Sequence, residues 1–178
     1  LFAKTQFGPT AYRFFGPENG PLMVFVHGFG TPSVVFDDLI PELVSEGYRI
    51  LTFDFYGRGY SARPKLDYTV DAHEEQLEEL LQVLGVRESF YLVGLSLGGT
   101  VASAFVAKHP TRIRKLILMA PMLGPVDVGL MKYSVVRAFL TPLIARKFPD
   151  RQMQGTLHPE RYPELRAAIE EQVSIKET

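Results

Sequence analysis

Apolar and polar positions along the chain alternate between two rhythms. Leu22-Met23-Val24-Phe25-Val26 is apolar at every position, the signature of a strand covered on both faces. Residues 48–53, 90–95 and 113–120 read as further short strands. Between 69 and 84 the period is helical: Val70, His73, Leu77, Leu80, Leu81 and Leu84 share one face. Asp71, Glu74, Glu75, Glu78 and Glu79 fall largely on the other, which reads as a solvated acidic face. Residues 97–109 predict a second helix, closed by Pro110. A helix is also expected between about 34 and 46 and stopped by Gly47, with Pro41 demanding a late start or a kink. Residues 1–15 read as two strands around a Gly8-Pro9 turn.

Strands therefore alternate with helices from residue 22 to residue 120. That rhythm predicts an α/β fold, a mostly parallel sheet with helices on both faces. Beyond Pro121 it changes. Residues 126–148 are mostly apolar and broken by Pro142, and 159–173 read as a helix with Pro163 near its start. The division expected is a core over 1–121 and a helical cap over 122–178. Ile113 to Ala120 supplies the last strand, and Leu116-Ile117-Leu118-Met119 is apolar on both faces without a charge to blunt it. An edge of that kind invites a partner. Either a continuation of the chain, a separate chain or a second copy is expected to complete the sheet.

Composition narrows the function more than the fold. The 178 residues are 46% hydrophobic and 22% charged, with a formal net charge of -1, which gives no basis for a nucleic-acid partner. No apolar run approaches the roughly 20 residues of a membrane span. Cysteine is absent, so there is no thiolate metal site and no cysteine nucleophile. No motif calls for a cofactor or a metal. The chain starts at Leu1, so a trimmed or processed form is expected and the compartment is unreadable.

The chemistry gathers in Tyr91-Leu92-Val93-Gly94-Leu95-Ser96-Leu97-Gly98-Gly99. An apolar strand climbs into Gly94, turns at Ser96 and continues as a helix. A serine at such an elbow presents its hydroxyl beyond the end of a sheet. The alternative is a helix-start serine capping the following turn. In an open parallel sheet, ligands bind outside the carboxyl ends of the strands. His27-Gly28-Phe29-Gly30, Asp54-Phe55-Tyr56-Gly57-Arg58-Gly59-Tyr60-Ser61 and Gly94-Leu95-Ser96-Leu97-Gly98-Gly99 all leave those ends.

In order and spacing these three stretches resemble successive motifs of the α/β-hydrolase fold family, in its serine-nucleophile branch. The resemblance spans the first hairpin to the start of a cap. It implies Ser96 as the nucleophile of an acyl-enzyme. It also implies that the backbone N–H groups of Phe29 and Leu97 form an oxyanion hole. His27 is implied to hold its loop rather than to act as general base, and Asp54, Arg58 and Ser61 to form a polar network pinning theirs. Serine at the elbow counts against haloalkane dehalogenases and epoxide hydrolases, which carry Asp there.

The acid and the histidine of a triad are not found. In this family they come after the nucleophile in chain order. His109 lies at the far end of its helix, roughly 18–20 Å from Ser96 at about 1.5 Å per residue. His158 falls in the cap, His73 is expected to pack in the core, and Asp127 and Asp150 are weakly placed as the acid. The chain is therefore expected to stop before the last strands of the fold. The leading reading is a serine hydrolase of carboxylic esters, amides or thioesters, esterase- or lipase-like, inactive as this chain alone. Met122, Leu123, Val126, Leu130, Met131, Val135 and Phe139 suggest a small-molecule substrate with an apolar group. The alternatives are a non-catalytic ligand-binding or interaction protein, or an inactive shortened form.

Overall fold

The computed structural model describes residues 1–122 together with Pro163 and Ala167. The chain divides into two units, Leu1–Met122 and Leu123–Thr178, and the first holds all the strands among the described residues. Expectations for the cap, including the helix over 159–173, His158, Asp127 and Asp150, lie outside the described residues, except that Pro163 and Ala167 are helical.

Six strands form one sheet, β1 (Phe2–Thr5), β2 (Gly8–Phe15), β3 (Leu22–Val26), β4 (Arg49–Phe53), β5 (Phe90–Leu95) and β6 (Ile113–Met119), in the order β1-β2-β4-β3-β5-β6. β4, β3, β5 and β6 run parallel, and β1 and β2 are added antiparallel at one edge. Crossovers are made by α1 (Ile40–Ser45), α2 (Val70–Val83) and α3 (Leu97–Lys108). The alternation of side chains along each strand then sorts the core into two layers. Leu22, Val24 and Val26 of β3 pack with Leu77, Leu80 and Leu81 of α2 and with Val101, Ala102 and Phe105 of α3. Met23 and Phe25 point the other way, toward Phe36 and Ile40. This is the mostly parallel α/β sheet, helices on both faces, that the hydropathy rhythm predicts.

The expected first helix resolves as Pro41 requires. A 3-10 turn covers Ser33–Phe36, and the α-helix begins only at Ile40, with the proline in its first turn, where a missing N–H costs nothing. Two expectations need correcting. The first hairpin turns at Gln6 and Phe7, and Gly8 and Pro9 already belong to β2. Glu74 does not lie on a solvated face: it is 1% exposed, packed where α2 meets α3. β6 stands as the exposed edge that its sequence leads us to expect. Ile117, Leu118 and Met119 are 41%, 39% and 37% exposed, because among the described residues β6 pairs only with β5.

Candidate active site

The elbow rests on two close approaches. A Cβ at Gly94 would lie 2.5 Å from the Gly98 carbonyl oxygen, and one at Gly98 would collide with the Val26 carbonyl. Glycine at both lets α3 start hard against the end of β3. Neither glycine carries the strained dihedral, however. That falls on Ser96, at φ 52° and ψ -117°, a left-handed conformation that costs a non-glycine residue about 1–3 kcal/mol. Ser96 is half-buried and makes no side-chain capping bond to α3, so the helix-capping alternative fails. Its backbone is fastened instead: Ser96 N donates to Met119 O at 3.0 Å, and Met122 N to Ser96 O at 3.1 Å.

The loop after β3 lies against this serine. A Cβ built on Gly28 would sit 3.3 Å from Ser96 Cβ and 3.9 Å from Ser96 Oγ, so the glycine keeps the approach open. His27, next to it, is fully buried. Phe55 N donates to its Nε2 at 2.9 Å, which makes Nε2 an acceptor and places the proton on Nδ1. Nδ1 in turn donates to Gly28 O at 2.7 Å. Burial pushes the imidazole pKa down to about 4, so the ring is neutral near pH 7. With both nitrogens engaged, it has no lone pair for the Ser96 proton. Its role is mechanical. In a trans peptide C=O and N–H point oppositely, so holding the Gly28 carbonyl fixes the direction of the Phe29 N–H. The next carbonyl is held too. Arg58 Nε donates to Phe29 O at 2.8 Å, and its guanidinium stacks 4.6 Å from the centre of the Phe29 ring. Burial lowers the Arg58 pKa, from a starting point high enough that it stays charged. Leu97 is the first residue of α3, so its N–H has no carbonyl a turn earlier in the helix to bond.

The Asp54 loop is a structural knot. Asp54 Oδ1 accepts from Ser33 N at 2.9 Å and Oδ2 from Tyr60 N at 3.0 Å. Ser61 Oγ donates to Asp54 O at 2.6 Å and accepts from Ala11 N at 2.9 Å. A residue the motifs do not flag completes it. Gln76 of α2 accepts from Tyr56 N at 2.9 Å and donates to Asp54 O and to Thr10 Oγ1. Its signal was the helical period, since 73, 76, 77 and 80 form one stripe, and a polar residue in a buried stripe needs partners. His73, also buried, stacks on Phe55 with centroids 4.2 Å apart, and burial lowers its pKa to about 4. The structure thus brings Gly28 against Ser96, with Leu97 and Phe29 beside them in sequence. His109 stays at the opposite end of α3, as its C-cap.

Comparison with known proteins bears on the fold. The family model described as "alpha/beta hydrolase fold" matches residues 21–154. Lipase 3 of Moraxella sp. is 35% identical over 101 residues, 56% of this chain and 31% of that protein. A hydrolase from Pseudomonas aeruginosa of known structure superposes with a TM-score of 0.76 at 25% identity, over 98% of this chain and 71% of that one. An enol-lactonase from Burkholderia xenovorans superposes at 0.78 and 23% identity, over 99% of this chain and 68% of that one, a likeness of fold alone. The match spans about a third of the length of the curated relatives.

Proposed function

Since the chain belongs to the alpha/beta hydrolase fold family, we propose that it carries the nucleophile and oxyanion-hole half of a serine hydrolase. The observation that carries the reading is Ser96, held in a left-handed elbow with Gly28 packed against it. In this reading Ser96 Oγ attacks the carbonyl carbon of a carboxylic ester, amide or thioester. The alcohol, amine or thiol leaves, and water later releases the acid. The N–H groups of Phe29 and Leu97 take the negative charge that develops on the carbonyl oxygen, a contribution of about 3–4 kcal/mol per donor in comparable sites. Similarity to a lipase supports an ester as the bond broken. The substrate we propose is a small molecule with an apolar acyl group, and the division we propose is a core over 1–121 and a cap segment over 122–178.

The base must come from outside the described residues. His27 has both nitrogens occupied, His73 is stacked in the core, and His109 stands at the far end of α3. That same observation favours a second reading, a ligand-binding protein that keeps the fold without catalysis.

A fluorophosphonate probe separates the two. The expected result is no labelling of this chain. Labelling is expected at Ser96 in a form extended past Thr178 along its reading frame, and its loss in Ser96→Ala. Labelling of the chain alone would reveal a base within it. Silence in both forms would favour the binding protein.

A further inference from the structure

On the side of the sheet carrying α2 and α3, the contact between the two helices holds charged groups that the hydrolase reading does not use. Glu74 and Glu78 stand one turn apart on α2, and His109 caps the C-terminus of α3. One ligand atom from each of the three lies within 4.8 Å of the others. His109 Nε2 is 3.4 Å from Glu74 Oε1 and 2.8 Å from Glu78 Oε2.

The Glu74 side chain is 1% exposed, and its carboxylate is only half accounted for. Lys108 Nζ donates to Oε2 at 2.5 Å, but Oε1 is buried and makes no hydrogen bond. His109 Nε2 is likewise buried without a hydrogen bond, despite its closeness to Glu78. Two buried atoms, an acceptor and a ring nitrogen, thus lie 3.4 Å apart with no hydrogen bond to either. Burying a carboxylate oxygen unpaired is costly, and Lys108 reaches only one side of it. The Lys108 ammonium is itself shared, since Asp71 lies 3.7 Å from it in addition to its pair with Glu74. The carbonyl end of α3 adds further negative potential.

We propose that Glu74, Glu78 and His109 form a binding site for a divalent cation of the zinc type. One imidazole nitrogen with two carboxylate oxygens is a donor set such ions accept, with bonds of about 2.0–2.2 Å. Donor atoms within 4.8 Å of one another can close around a shared ion. A fourth position is left for water. The ion ties the middle of α2 to the end of α3 and neutralises the buried Glu74. It is remote from the elbow: twelve residues of α3 separate them, about 18 Å at 1.5 Å per residue. The site is therefore structural and independent of the catalytic reading.

The test is calorimetric titration of the chelator-treated 178-residue chain with ZnCl2 at pH 7.5, with Co2+ absorption as a second probe. One ion per chain is expected, with a rise in Tm on saturation. Affinity is expected to fall at least tenfold in Glu78→Gln and in His109→Gln. Glu78 is partly exposed and Glu78→Gln keeps the Lys108–Glu74 pair, so this variant tests the site in a folded chain, as circular dichroism verifies. Absence of saturable binding in the parent chain overturns the proposal. Equal affinity in the parent chain and both variants overturns it too, since the ion would be bound elsewhere.

Discussion

Ser96 occupies a backbone conformation that serine adopts only under compulsion, at φ 52°. The compulsion comes from its neighbours, since Gly94 and Gly98 allow the strand end and helix start to close on each other. A strained residue of this kind trades stability for placement. Ser96→Gly is therefore expected to be more stable than Ser96→Ala by about 1 kcal/mol, measured by urea denaturation. Both variants lose the hydroxyl, so the difference isolates the strain. Equal stability would mean that the elbow relaxes without cost. The motif made Ser96 legible in the sequence, but it did not show which residue bears the strain. That is decided by how tightly three segments pack, and glycines on either side only hint at it.

At the scale of elements, the apolar stripes of α2 and α3 were readable because each is amphipathic or buried along a regular period. The polar residues within those stripes were harder. Gln76 supports the Tyr56 N–H, the Asp54 carbonyl and Thr10 from inside the core, and Glu74 hides at the helix contact. No short motif flags such a residue, because its partners are distant in sequence. Gln76→Leu has nearly the right volume and fits the apolar pattern, yet it is expected to destabilise the fold by roughly 2–3 kcal/mol by leaving buried backbone groups unpaired. The urea midpoint measures this. A neutral or stabilising outcome would show that water replaces the amide. The edge strand β6 reads as interior from its apolar run, and its exposure arises from the order of strands rather than from its own residues.

Over the described residues the fold was legible from rhythm, while the base for Ser96 was not, since no described histidine reaches it. Two buried histidines nevertheless set how the molecule responds to acid. His27 and His73 are both held neutral by burial, with pKa values of about 4, against about 6.5 in the unfolded chain. Between those values the unfolded state binds more protons. Stability is therefore full above about pH 6.5, falls as pH drops toward 4, and loses nothing further from these groups below that. The loss should reach a few kcal/mol, and the stretch from pH 6.5 to 5 isolates it from most carboxylates. Urea denaturation across that range is expected to show the slope, and His73→Asn to reduce it. A flat profile would mean that both rings take up protons in the folded state without penalty.

The chain leaves its first unit through Pro121 and Met122, and this exit is laced to the elbow. Met122 N donates to Ser96 O, Thr100 Oγ1 donates to Met122 O, and Pro121 crowds Gly99. Ser96 N is in turn held by Met119 at the end of β6. The serine is thus tethered to the last strand among the described residues and to the first residues beyond it. Displacing Met122 therefore strains the Ser96 backbone through a single hydrogen bond, without any contact to the hydroxyl.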